Sequence, residues 1–141
     1  MSRPPFPEEA DCIYCGTIAS QWDHVISVAL LRPSSYAKSN KANRYKDDDW
    51  LVPACVECNC ALQDRMLHSV PLRAKWLYSR YRKKYQKLML NAVWTEDDLE
   101  DMSASLRALI TETMFAQAEL DLRLAHLLKV ANKDMDYGKP K

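Results

Sequence analysis

No run of about 18 apolar residues occurs anywhere in this chain, which excludes a membrane-spanning helix. The N-terminal Met-Ser-Arg-Pro-Pro-Phe-Pro lacks the apolar stretch of a signal peptide, so the chain reads as intracellular, in the cytoplasm. Disulfides are disfavoured in a reducing compartment, and the five cysteines need another explanation. Glycine is nearly absent, with only Gly16 and Gly138, and there is no internal repeat. What remains is an ordinary globular composition: 141 residues, 48% hydrophobic and 28% charged, enough for one domain or a small domain with a helical extension.

A formal net charge of +1 hides a strong asymmetry. Between Ser69 and Leu90 there are seven bases and no acid; between Thr95 and Asp121 there are eight acids against Arg107 alone. The chain is a basic block followed by an acidic block.

Residues 1–11 read as a flexible arm and 12–68 as a loop-rich, short-stranded module that holds every cysteine and all histidines except His126. Its polar middle, Arg32 to Asp49, reads as a long loop. Residues 69–132 read as a helical extension and 133–141 as a disordered tail. Ser69 is a plausible N-cap with Pro71 in the first turn. Val70, Ala74, Leu77, Tyr81, Tyr85 and Leu88 then recur at helical spacing. Thr95 with Asp98 resembles a capping box opening another helix. From Leu99 to Val130 apolar residues follow a heptad-like stripe interrupted by Thr113, Ala116 and Arg123. A helical hairpin within the monomer and a coiled-coil dimer both satisfy that stripe, and Ser103 and Ser105 are candidate breaks.

Cys12-Ile-Tyr-Cys15 and Cys55-Val-Glu-Cys58 are two CxxC pairs. Each turn points two thiolates at one ion, and two turns complete a closed tetrahedral shell for structural Zn²⁺. A module of roughly 57 residues buries little apolar surface and gains from such a staple. A redox role for the pairs would need a βαβ setting that this chain lacks. Cys60 is expected to be a buried or partly buried free thiol, with exchange for Cys58 as ligand the other possibility.

Between the two pairs lies Trp22-Asp23-His24-Val25-Ile26, and Asn59 follows Cys58 directly. This order, CxxC, Asp-His, a short aliphatic strand and CxxC-Asn, resembles the HNH endonuclease family, the ββα-metal nucleases with an embedded zinc site. The resemblance covers residues 12–68. It implies an α+β fold, a zinc-stapled ββα-metal module here followed by a C-terminal helical hairpin. It also implies that Asp23 and Asn59 ligate a catalytic divalent ion, Mg²⁺ or Mn²⁺, with His24 as the general base. The chemistry is suitable: a carboxylate and an amide make a weak, hard site with positions left for water and phosphate, and a histidine titrating near neutrality can accept a proton. Trp50 stands where the family usually has its middle asparagine, with Asn40 and Asn43 as possible substitutes. Leu62 stands where a lysine is common, and Arg65 is available for the phosphate instead.

The segment from Lys75 to Tyr85 interleaves bases with aromatics, and Arg80, Lys83 and Lys84 are candidate phosphate contacts. The competing assignment is a solvated helix paired with the acidic block. Lys41 and Arg44 in the long loop form a second candidate surface. The expected activity is hydrolysis of DNA, double-stranded by expectation, with a homodimer or larger assembly possible through the C-terminal helices. The alternative is a non-catalytic zinc module that binds nucleic acid or protein.

Overall fold

The computed structural model describes residues 4–26, 50–63, 65–90 and 94–133. The element order is β1 (Gln21–His24), β2 (Leu51–Ala54), α1 (Val56–Leu62), α2 (Val70–Lys84), α3 (Gln86–Met89), α4 (Glu96–Glu100) and α5 (Ala104–Ala131). The architecture is α+β. Lys41 and Arg44, like Asn40 and Asn43, lie outside the described residues.

The strands pair antiparallel, Gln21 opposite Ala54 and His24 opposite Leu51. Pro53 is tolerated because both strands of a two-stranded sheet are edges, and its carbonyl accepts the Ile13 N–H at 2.9 Å. That bond docks the Cys12–Cys15 turn against β2. The chain then enters α1 with Cys55 as N-cap, its thiol accepting from the Cys58 N–H at 3.4 Å.

The helix starts follow the cap residues. Ser69 Oγ accepts from the Leu72 N–H at 3.2 Å and opens α2. Thr95 and Asp98 exchange both bonds of a capping box and open α4. Ser103 caps α5, accepting from the Leu106 N–H at 3.3 Å, so the break in the acidic segment falls just before this serine while Ser105 lies within the helix.

The helices α2 and α5 form a hairpin. Leu77 and Tyr81 pack towards Leu120, Leu124 and Leu127, all buried. The same core continues into the cysteine module through Tyr14, Trp50 and Cys58, so the two halves share one apolar interior. The second half of α5 carries all of its buried residues; from Ala104 to Glu119 every residue is half-buried or exposed. Among the described residues no helix is long and apolar enough to cross a membrane.

His126 of α5 reaches the first cysteine turn, where its Nδ1 lies 2.9 Å from the Tyr14 carbonyl oxygen. Gly16 takes φ +81° there, and a Cβ at this position would lie 3.0 Å from the His126 ring. Backbone conformation and contact both demand glycine. Gly16→Ala is expected to lower the unfolding free energy by about 1–3 kcal/mol, read by urea denaturation at saturating zinc; an unchanged midpoint would refute the assignment.

Candidate metal centre and basic face

Cys12, Cys15, Cys55 and Cys58 come together, their sulfurs all within 4.8 Å of one another and all four residues buried. Cys15 Sγ and Cys55 Sγ lie 3.7 Å apart. Sulfurs on a tetrahedron about Zn²⁺ at ~2.3 Å are separated by about 3.8 Å, so the cluster has the size the ion requires. Hydrogen bonding within the cluster divides the thiols. Cys12 lowers Cys55 to about 6 and pulls Cys15 down further, whereas Cys15 pushes Cys12 up and Cys12 pushes Cys58 up. The Tyr81 hydroxyl donates to Cys58 Sγ at 3.1 Å. Four sulfur donors would fill the shell of such an ion and leave no position for substrate, which is consistent with a structural centre.

Cys60 is exposed and stands outside the cluster. Two residues along a helix is a rotation of about 200°, so when Cys58 points inward Cys60 faces solvent. The expectation of a buried or partly buried thiol is therefore corrected.

Glu57, between the two ligands of α1, ties the centre to the hairpin. Its carboxylate accepts from Lys84 Nζ at 2.7 Å, from Arg123 at 2.6 Å and from the Tyr85 hydroxyl. Partial burial opposes its ionisation, but these donors hold its carboxyl below the usual range.

Asp23 occupies a different environment from that of an open metal ligand. It is only 2% exposed. Arg73 Nη2 lies 2.8 Å from Oδ1 and 2.9 Å from Oδ2, Arg73 Nε lies 3.2 Å from Oδ2, and the Tyr14 hydroxyl donates to Oδ2. Arg73 is fully buried, and its Nη1 donates to the carbonyls of Val25 and Leu67 at 3.3 and 3.0 Å. Burial pushes the Asp23 carboxyl up, with Arg73 and Tyr14 opposing that effect. The same burial, with Asp23 beside it, raises Tyr14. This carboxylate is engaged by the guanidinium at both oxygens and by the Tyr14 hydroxyl at Oδ2.

Asn59 lies on α1 against β1, its amide donating to Gln21 Oε1 at 2.7 Å. Gln21 and Asp23 are two residues apart on one strand and share a face, so the helix that carries Asn59 packs over the strand that carries Asp-His. His24 ends β1, half-buried. Arg73 escaped attention as one base within a basic block, yet its place in the Val70, Ala74, Leu77 stripe puts it on the buried face of α2.

The other bases of α2 form an exposed face. Arg65 stacks over Trp76 at 4.1 Å and Arg80 over the same ring at 5.4 Å, with Arg82 over Tyr78 at 5.6 Å. Trp76, Ser79, Arg80, Lys83 and Lys84 line a shallow groove. Among the described residues the ion pairs are Arg73–Asp23, Lys84–Glu57 and Arg123–Glu57, and none joins α2 to the acids of α4.

Two outcomes follow for this region. Elemental analysis should find one zinc per chain, and strong chelation should abolish the cooperative fold; a zinc-free chain that melts unchanged would refute the centre. Arg73→Ala leaves a buried carboxylate unpaired and is expected to cost about 3–5 kcal/mol. Arg80→Ala, on the exposed face, should stay within about 0.5 kcal/mol of the parent. Equal losses in a urea titration would contradict the buried pair.

No family model, no curated protein and no solved structure matches this chain.

Proposed function

We propose that this chain is a nucleic-acid-binding protein, with a zinc-stapled hairpin-and-helix module for its scaffold and the basic face of α2 for its phosphate contacts. The observation that carries this reading is the stacking of Arg65 and Arg80 on Trp76, beside Lys83. A guanidinium over an indole face can still turn N–H groups towards a phosphate, although Arg65 spends its Nε–H on the Ala61 carbonyl at 3.2 Å. The absence of ion pairs between these bases and α4 among the described residues supports the same reading, because an internally neutralised helix would offer less to a polyanion. Lys84 contributes less, since Glu57 already engages it.

Metal-dependent hydrolysis of DNA is the second reading. It is favoured by the placement of Asn59 over the strand that bears Asp23 and His24. It is opposed by the engagement of Asp23 with Arg73, which makes the carboxylate a strut between β1 and α2. Purified protein with supercoiled plasmid and Mg²⁺ or Mn²⁺ distinguishes the two. Binding without nicking or linearisation is expected. Cleavage that disappears in His24→Ala, with zinc content unchanged, would establish the endonuclease instead.

The binding face has its own test. Arg80→Gln with Lys83→Gln should weaken binding to any duplex sequence and reduce the slope of log K against log salt by about 1.8. A salt titration with an unchanged slope would remove α2 from the interface.

A further inference from the structure

The first half of α5 has an outward face that nothing in the described chain covers. Ala104, Ala108, Thr111, Phe115, Ala118 and Leu122 recur at alternating steps of four and three. They form a seam distinct from the inward Leu120, Leu124, Leu127 and Val130. Phe115 is 73% exposed and Leu122 is 74% exposed. A shallow groove of about 680 Å³ runs along this face between Ala104 and Phe115, and it is also lined by Arg107 and Glu112. A helix of this length projecting its aromatic and aliphatic side chains into water is poorly stabilised alone, because helix stability in proteins comes mostly from packing one face.

The charges beside the seam identify what covers it. On a helix, opposite charges support each other when three or four residues apart. Arg107 has Ser103, Ala104, Ile110 and Thr111 at those spacings, and Glu112 has Ala108, Leu109, Phe115 and Ala116. Neither takes part in an ion pair among the described residues. With Ala104, Thr111 and Ala118 as d positions and Ala108, Phe115 and Leu122 as a positions, Arg107 is a g position and Glu112 the following e position. In two parallel helices related by a twofold axis, the g flank of one faces the e flank of the other. Arg107 of each copy then meets Glu112 of the partner, twice. An antiparallel pair in register over the same seam would instead bring Glu112 towards Glu112 at its centre, with Arg107 opposite Asp121.

We infer that α5 mediates a parallel homodimer, with Phe115 and Leu122 at the centre of the seam and reciprocal Arg107–Glu112 pairs at its rim. The inference is independent of the nucleic-acid reading, and the partner it names is a second copy of this chain. A parallel arrangement leaves the inward face of α5 on its own α2, so each zinc module lies on the outer side of its own helix.

Sedimentation equilibrium of the zinc-loaded full-length chain tests this. The parent should be dimeric at tens of micromolar, and Phe115→Glu should be monomeric with unchanged zinc content. Arg107→Glu and Glu112→Arg should each weaken the dimer, and the two together should restore it. A parent that stays monomeric, or a double reversal that fails to recover association lost in the single variants, would overturn the proposal. Orientation has a separate readout. In the parallel pair residue 111 faces its own counterpart, so Thr111→Cys in a Cys60→Ser background should give a disulfide-linked dimer under mild oxidation. A dimer that does not cross-link there would refute the parallel register.

Discussion

Four thiols closing on one point are the constraint on which the rest of this structure depends. A two-stranded sheet of four-residue strands and a helix of seven residues cannot hold one another in place unaided. The cluster joins the turn before β1 to the start of α1 and thereby fixes both strands and the helix after them. The hydrogen bond from Ile13 to Pro53 and the cap that Cys55 provides for α1 follow from that closure.

A second tie extends this order to the helices. Arg73 reaches from α2 to Asp23 on β1, and the pair is satisfied on all sides by Tyr14, Val25 and Leu67. Such a network contributes modest net stability when intact but is very costly to break. It also changes the meaning of the Asp-His dipeptide. A carboxylate that in an open site would hold a cation is here answered by an internal cation, fixed by the fold. The pair thereby joins β1 to α2 across the core.

Much of this was legible in the sequence where a local rule applies. The CxxC spacing identified all four sulfurs, and Ser69 and Thr95 marked helix starts because capping depends on neighbours three residues away, while Ser103 was only one of two candidate breaks. The buried stripe of α2 was legible too. The partner of Asp23 was not, because nothing in the spacing of a lone aspartate tells whether an ion or an arginine fifty positions later will meet it. Glu57 was equally silent: it reads as an exposed residue between two ligands, and only the fold brings Lys84, Tyr85 and Arg123 to it. Cys60 was misjudged from its residue type, although helical rotation from Cys58 already turned it outward.

The position of Glu57 makes the metal centre something other than a local clasp. Glu57 lies between Cys55 and Cys58 of the sulfur cluster, and its oxygens hold α2 through Lys84 and α5 through Arg123. Any disturbance of the thiolates shifts the first turn of α1, and that turn carries the anchor common to the two longest helices. The sulfur cluster and the two longest helices thus meet at one helix of seven residues.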